Sequence, residues 1–530
     1  MKEKKGHAGL VILIIILVII FLPIGVVFAL CYDNSKREHV PSQDYTAVVQ
    51  KSLADSFRSA KEQKKLNLRV TQEDLNGVLE NAFTQMPVQA KDYVKGLFVD
   101  INNRNYDFRV ELDVPGFSTV AVLKTQMTEV VDNVNPLNGS FEFSILDVTV
   151  GRLTGALGIA ENFAGSQIQS LGPTLQKALE DAGIHATVDM ATKKITYTKS
   201  ALQADIVAMM HGEQMVTTFI KEFLSLGLTS LNPSSGTAIE MVTDLTPLQT
   251  NAAYVSASTP DLHLDTHAAE LGRLLDEGKV TNDANLMKNV FNYLVRGYQG
   301  SSEALRNAVA SIDFSSLGIS DWTAYKGENP EANKVDIAKK LYNQITVYDV
   351  LANKHVGDIK ESDVNSLLAC AGVVGNCFIM NSVVNGTNQP VYFAIDDLRC
   401  EILDGKLNFI LGINVNGCEI QAIICTEAKQ STSPTDRYKM FAHVTDFYLG
   451  EKKISADIQN LFRDYIKQAM SVSEYFSYDT ASDTFIIDYT GLVDSTGRRA
   501  EIEAAGSPAF SFKGSSLTDP KACLSLDVDF

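Results

Sequence analysis

The chain has 530 residues, 45% of them hydrophobic and 21% charged, a balance typical of folded proteins and not of long disordered arms. At roughly 150 residues per domain, this length predicts about three domains. Acidic residues outnumber basic residues 64 to 46, which gives a formal charge of -18. A surface of this sign repels a phosphate backbone, so nucleic acid is excluded as an expected partner.

The first predicted element is a membrane-spanning helix. Three lysines among the first five residues precede an uncharged apolar run, Leu10–Leu30. As a helix this run would span about 31 Å, enough for the hydrocarbon core of a bilayer. Lysines before the span predict a cytoplasmic N-terminus and an extracytoplasmic location for everything after Cys31, in a single-pass membrane protein. A signal peptide cleaved near Ala29 is the alternative, although its apolar core is typically only about 7 to 15 residues.

A ten-residue pattern then occurs twice, as VTQEDLNGVL from position 70 and as IKESDVNSLL from position 359. We expect Thr71 and Asp74 to form a capping box at the first helix start. Asp358 and Glu361 are expected to do the same in the second copy. The polar pairs that recur are Asp74/Asp363 and Asn76/Asn365, and we interpret them as residues of a common helix entrance, with ligand contact as the alternative.

Each copy continues with two alternating strands. The segments at 106–125 and 407–426 align without a gap and share Phe108 with Phe409 and Gly116 with Gly417. Pro-Gly in one copy and Asn-Gly in the other lie between the two strands, which predicts a hairpin in both.

A third strand, a helix and a fourth strand follow in the same order. The third strands share Asp147 with Asp446 and Gly151 with Gly450. Helices are expected at about 154–182 and 455–470, and short strands at 192–198 and 484–490. Four matched blocks in one order predict an internal duplication.

The predicted fold class is therefore α+β, with an N-terminal transmembrane helix and two related modules, each a helix with a curved antiparallel sheet, separated by a mainly helical segment. The predicted parts are a cytoplasmic tail (1–7), a signal-anchor helix (8–31), a juxtamembrane segment (32–65), module 1 (66–200), the helical middle segment (201–354), module 2 (355–491) and a strand-forming tail (492–530).

The module order, the first ten-residue pattern and DVTVGRL at 147–153 resemble the YpmS-like family of small membrane-anchored extracytoplasmic proteins. That resemblance implies an anchor followed by one such module, present here twice. The second copy departs from the pattern, because Lys360 replaces the threonine. A looser resemblance of architecture is to tubular lipid-binding (TULIP-like) modules, in which a curved sheet wraps a long helix.

Catalytic motifs with a recognised spacing do not occur in the sequence, and no cofactor is expected. Two histidines, His263 and His267, have the spacing of metal ligands on one helix face, but the preceding Pro260 and the aspartates beside them are more typical of a helix start. The adjacent Asp396 and Asp397 are interpreted as solvated turn residues.

Six of the seven cysteines lie in the last third of the chain, at positions 370, 377, 400, 418, 425 and 523. No CxxC pair occurs among them, so a zinc site is not expected. One or two disulfides and buried thiols remain open as alternatives.

Two functions are predicted from these features. The first is binding or transfer of a lipid or amphiphile in an apolar groove between helix and sheet. The alternative is a scaffold of the cell envelope that binds a protein partner for secretion, wall assembly or division. The candidate lipid-facing residues are Phe108, Val110, Leu112, Phe409, Leu411 and Ile413.

Overall fold

In the computed structural model the chain forms two compact units, residues 33–59 with 65–244 and residues 60–64 with 245–529. The structure describes residues 33–151, 185–254, 262–296 and 355–529, apart from 87, 115, 116, 210–213, 370–373, 375, 404, 430–432, 471–475, 489, 496, 498, 506, 517 and 518; it also describes 173, 176, 177 and 180. Each unit has its own sheets and its own apolar clusters.

The elements up to residue 244 alternate between helices and antiparallel strands. In chain order they are α1 (Tyr45–Gln63), β1 (Lys65–Thr71), α2 (Gln72–Thr84), α3 (Val88–Lys91), β2 (Val94–Asn102), β3 (Asn105–Val114), β4 (Phe117–Val130), β5 (Ser140–Val150), β6 (Thr187–Asp189), β7 (Lys194–Thr198), α4 (Lys199–Met209), α5 (Gln214–Ser225), β8 (Thr229–Leu231) and β9 (Ala238–Asp244).

The first unit contains two antiparallel sheets. The larger has the strand order β2-β3-β4-β5-β7-β6, and the smaller has the order β1-β9-β8. Helix α2 packs against β2. Apolar side chains of β2, β3, β4 and β5 fill the space next to this helix, because alternate residues of a strand point to the same face. Helix α2 and strands β2 to β5 thus share one apolar cluster.

The elements after residue 245 are α6 (Leu264–Asp276), α7 (Ala284–Arg296), β10 (His355–Lys360), α8 (Glu361–Ala369), β11 (Cys377–Met380), β12 (Val383–Val384), β13 (Thr387–Asn388), β14 (Val391–Leu403), β15 (Lys406–Val415), β16 (Cys418–Lys429), β17 (Lys439–Leu449), β18 (Lys452–Lys453), α9 (Ala456–Met470), β19 (Phe476–Asp479), β20 (Thr484–Asp488), α10 (Thr490–Ser495), α11 (Arg499–Ala505), β21 (Ser507–Lys513) and β22 (Cys523–Asp529).

The second unit repeats the strand order of the first. Its larger sheet runs β11-β14-β15-β16-β17-β20-β19, with β18 beside β17, and its small sheet runs β10-β22-β21. Strands β14 to β17, β20 and β19 therefore correspond to β2 to β5, β7 and β6, while β11 is an added edge strand. Helices α6 and α7 pack on this added edge, where the ring of Phe291 stacks on Tyr392 with centroids 5.8 Å apart.

Irregularities of the strands recur at matching positions. A β-bulge interrupts the β4–β5 pairing next to Thr125 and the β16–β17 pairing next to Thr426. The residue after β5 and the residue after β17 are both glycines with a left-handed backbone, with φ of 58° at Gly151 and 51° at Gly450. Because β-bulges and left-handed turns specify local chain direction, their recurrence shows that the two copies share backbone detail as well as strand order.

The fold class is α+β as predicted, but the predicted transmembrane helix is not supported. Among the residues that the structure describes, no helix has the length and apolar character needed to cross a membrane, and the predicted span at 10–30 lies outside those residues. The described residues of the segment between the modules include the four helices α4 to α7, as predicted, but Ala238–Asp244 also pairs with Lys65–Thr71 in the small sheet of the first unit. Propensity did not reveal this pairing, which joins strands far apart in sequence.

The repeated unit is consequently longer than its predicted bounds. We call β1 to β9, residues 65–244, the first repeat and β10 to β22, residues 355–529, the second repeat. Strands β8 and β9 lie beyond the predicted boundary at 200, and β21 and β22 lie in the predicted tail. In both repeats the last strand returns beside the first one.

Candidate functional site

The recurring asparagines fasten the helix to the edge of the sheet. In the first repeat, Asn76 Nδ2 donates to the carbonyl oxygen of Val99 at 3.1 Å, and the Val99 N–H donates to Asn76 Oδ1 at 2.7 Å. In the second repeat, Asn365 makes the same two bonds with Cys400, at 3.0 and 2.6 Å. Each side-chain amide thus satisfies the N–H and C=O groups of a strand residue on the side where no other strand pairs with that residue.

A second pair of bonds lies two residues further along the same strands. The Ile101 N–H donates to Gln72 Oε1 at 2.7 Å, and the Ile402 N–H donates to Glu361 Oε2 at 2.7 Å. The sequence predicted a capping pair of Asp358 and Glu361, but Asp358 lies in β10 and the Glu361 carboxylate accepts from Ile402 instead. Burial raises the pKa of the Glu361 carboxyl group.

The predicted capping box is present in the first repeat. The Asp74 N–H donates to Thr71 Oγ1 at 3.1 Å, and the Thr71 N–H donates back to Asp74 Oδ2 at 3.1 Å. Burial by itself raises the pKa of Asp74, but the hydrogen bonds from Thr71 and the ammonium group of Lys51 hold it below its ordinary value. Asp363 is likewise buried.

The remaining signature residues stand at turns and strand ends. The backbone N–H groups of Gly151 and Gly450 donate to the carbonyl oxygens of Val120 and Gln421, at 2.8 and 2.7 Å. Asp147 Oδ1 accepts from the N–H of Val148, and Asp446 is paired with Lys453. Asn416 and Gly417 have φ of 47° and 88°, as a tight hairpin requires, whereas Gly116 lies outside the described residues.

The six predicted lipid-facing side chains lie in packed cores. Val110 and Leu112 belong to the cluster beneath α2, and Phe108 packs against the neighbouring cluster around Tyr106. In the second repeat Phe409, Leu411 and Ile413 are each at most 2% exposed. The structure therefore packs these residues against other apolar side chains of the same repeat.

The two histidines proposed as metal ligands lie at the start of α6. His263 is the residue before the helix, with a left-handed backbone, and His267 is buried. Burial, followed by the neighbouring His263, lowers the pKa of His267 to about 4, so this imidazole is neutral at pH 7. Within the described residues, no group of three or more His, Cys, Asp and Glu side chains is arranged to hold a metal ion.

Asp396 and Asp397 are not solvated turn residues, because both are buried on β14. A β-bulge between Ile395 and Asp397 places them there, and a side chain at Gly412 would overlap Asp396 Oδ1. Burial raises the pKa of Asp396 to about 6, against the hydrogen bond from Asn414 Nδ2 at 3.1 Å. Burial also raises the pKa of Asp397, whose carboxylate lies 3.5 Å from the Arg399 guanidinium.

The described cysteines of the last third of the chain are buried thiols and not disulfides. They are Cys377, Cys400, Cys418, Cys425 and Cys523, whereas Cys370 lies outside the described residues. Burial raises the pKa of the Cys400, Cys418 and Cys425 thiols, so these groups are protonated and unreactive at neutral pH.

A surface groove of about 490 Å3 runs along α6 in the second unit. Its floor consists of small residues of this helix, and Gly272 lets the helix approach the chain opposite, since a Cβ atom there would lie 2.6 Å from the Asn388 carbonyl oxygen. We call this feature the α6 groove. Its lining residues are Asp265, Ala268, Ala269, Arg273, Asp276, Thr387, Asn388, Gln389, Pro390, Tyr392 and Asn416.

The charged groups of the α6 groove are held by neighbours. Asp265 accepts a hydrogen bond from the Tyr392 hydroxyl at 2.7 Å and forms an ion pair with Lys61. Burial by itself raises the pKa of Asp265, but the bonds from Lys61 and Tyr392 hold it below its ordinary value. At the other end, Asp276 Oδ1 accepts from the N–H and from Nδ2 of Asn388, at 3.0 and 2.7 Å.

The groove therefore presents carboxylate, guanidinium, hydroxyl and amide groups side by side. Sequence reasoning missed the groove, because its walls come from α6 and from residues 387–416, segments that only the tertiary fold brings together.

Comparisons with protein-family models, with curated proteins and with solved structures find no match for this chain. The resemblance to the YpmS-like family and the architectural likeness to tubular lipid-binding modules therefore stay predictions.

Proposed function

We propose that this protein is an interaction scaffold that binds an extended segment of a protein partner in the α6 groove. The observation that carries the proposal is the contrast between the two kinds of surface. The candidate lipid-facing residues pack against other side chains of their own repeat, whereas the α6 groove is open to solvent and combines apolar surface with charged and amide side chains. An extracytoplasmic location stays a prediction from the sequence, and the proposal does not depend on it.

The dimensions of the groove fit a short extended peptide. Asp265 and Asp276, which mark its two ends, are separated by eleven residues of helix, or about 16 Å at 1.5 Å per residue. An extended chain covers that distance with about five residues. Ala268 and Ala269 leave room for a backbone, because neither side chain is larger than a methyl group.

The walls offer the groups that a peptide backbone needs. Gln389 and Asn416 line the groove with side-chain amides, each able to donate and to accept. Such amides pair with peptide N–H and C=O groups, so they compensate for the water that a bound segment displaces. Lys61 is already paired with Asp265, and Arg273 with Glu270 and Glu277, so the amides are the groups that would contact a bound backbone.

Site-specific photo-crosslinking tests the proposal. A benzophenone amino acid at the exposed Gln389, in full-length protein in the cells that make it, is expected to capture one protein of defined mass. The matched control is the same amino acid at Glu427, an exposed residue of β16 that does not line the groove. Capture from both positions, or from neither, would contradict the proposal.

Native mass spectrometry of the purified full-length protein separates the two predicted functions. The scaffold requires no bound amphiphile, so the expected spectrum shows the mass of the chain alone after mild removal of detergent. A lipid retained at one or two molecules per chain, and exchanged with vesicles, would favour the lipid-binding hypothesis instead.

A further inference from the structure

Three valines stand exposed at one end of the large sheet in the first repeat. Val130, Val131 and Val134 have relative exposures of 44%, 61% and 96%. They lie within five residues at the end of β4, in a segment that we call the valine loop, residues 130–135. A methyl-bearing side chain that is 96% exposed makes almost no contact with its own protein, so fold stability does not account for it.

The valine loop forms a turn with hydrogen bonds between its own polar groups. Asp132 Oδ1 accepts hydrogen bonds from the N–H groups of Val134 and Asn135, at 2.8 and 2.9 Å. Asn135 then accepts from the Leu137 N–H at 3.2 Å and begins the short helical turn Pro136–Asn138. The same backbone donors hold the pKa of Asp132 below its ordinary value, so the carboxylate is charged at neutral pH. The valines are thus presented on an ordered turn.

The second repeat provides an internal comparison. Thr125 and Thr426 occupy the same β-bulge, and each loop enters a short helical turn that begins with proline, Pro136 or Pro434. The proline lies eleven residues after the bulge threonine in the first repeat and eight residues after it in the second. The shorter connection reads KQSTS from Lys429 and contains no apolar residue. The shared fold therefore does not require apolar residues at this position.

We propose that the valine loop docks into an apolar pocket of a protein partner whose rim carries lysine or arginine. The charge of Asp132, fixed between the valines, calls for a cationic group beside the pocket. A bilayer fits this loop less well, because membrane-inserting segments combine aromatic or leucine side chains with basic residues, and residues 130–135 contain neither an aromatic residue nor a cation. The proposal rests on the proposed scaffold function and adds a second contact surface to it.

Crosslinking in cells with full-length protein tests this surface. A benzophenone amino acid at the exposed Asn133 leaves all three valines in place, and the matched control is the same amino acid at the exposed Thr435 in the corresponding loop of the second repeat. We expect a discrete protein adduct from position 133 and none from position 435. We also expect the double substitution Val131→Ser and Val134→Ser to reduce the adduct at least tenfold, with an unchanged circular dichroism spectrum.

Three outcomes would overturn the proposal. One is the absence of a protein adduct from position 133 while Gln389 still captures a partner, which rejects the valine loop and leaves the α6 groove intact. Another is an adduct that survives the double substitution. The third is valine-dependent flotation of the protein with vesicles of phosphatidylethanolamine and phosphatidylglycerol, which would assign the loop to a lipid surface. If both position 133 and position 389 capture nothing, the scaffold function itself is wrong.

Discussion

The two hydrogen bonds between the Asn76 side chain and the Val99 backbone, which we call the asparagine clamp, give the sharpest quantitative prediction. Substituting Asn76→Ala removes both partners of the N–H and C=O groups of Val99, a buried residue of β2 that has a strand, β3, on one side only. A buried donor or acceptor left unsatisfied costs about 1–3 kcal/mol. Because the two groups are adjacent and the losses do not simply add, we expect a total cost of about 2–4 kcal/mol for opening the edge of the sheet.

Hydrogen exchange measured by mass spectrometry reports this cost locally. Since about 1.4 kcal/mol corresponds to a factor of ten, amides of β2 should exchange at least about 30-fold faster in the Asn76→Ala variant, whereas β14 should be unchanged. Asn365→Ala is the matched experiment for the second repeat and should accelerate exchange in β14 alone. The two substitutions test one bond geometry at two independent places.

The control lies in the same helix. Asn81→Ala removes an amide that bonds only to Gln85 at the surface, so we expect an effect below about 0.5 kcal/mol. Equal exchange in the Asn76→Ala and Asn81→Ala variants would refute the reasoning. Faster exchange spread over the whole chain would also refute it, because the clamp would then act on global unfolding and not on the edge strand.

Two further predictions concern the second unit. The pKa of Asp396 is about 6 in the folded protein against about 3.9 in an unfolded chain, so its contribution to stability is present below pH 4 and lost as the pH rises through 6. Asp396→Asn should therefore gain about 2–3 kcal/mol over the wild type between pH 4 and 7 in urea unfolding; a pH-independent difference would contradict this. In the α6 groove, Ala269→Tyr should abolish the crosslink from Gln389. The control is Thr266→Tyr, because Thr266 is an exposed residue of the same helix that does not line the groove, and the crosslink should persist in this variant. Equal crosslink yields from the two variants would argue against the groove.

Several features of the fold were predictable because they depend on residues close together in sequence. The capping box of Thr71 and Asp74 closes within one helical turn, and the hairpin at Asn416 and Gly417 needs only the left-handed backbone of two adjacent residues. The duplication was readable for a related reason: each copy keeps its polar and glycine residues at equivalent positions.

The candidate sites were less predictable, since they depend on what packs against a strand. The alternation of Phe409, Leu411 and Ile413 establishes one apolar face but does not distinguish a filled core from an open cavity. Asp396 and Asp397 looked solvated because nothing local indicates the β-bulge or the glycine at 412 that makes room for them. Hydrophobic burial is non-directional, so a strand pattern leaves the identity of its covering side chains open.

By itself, the sequence determined that an acidic chain contains one module twice, with a helix start, a hairpin and a glycine turn at fixed places in each copy. Only the tertiary structure decided that the last strand of each repeat returns beside its first. It alone showed that Asn76 and Asn365 bond to the backbone of Val99 and Cys400, and that the valine loop projects outward. The strand pairings and the asparagine bonds join residues far apart along the chain, so they form only when the sheets and helices have packed.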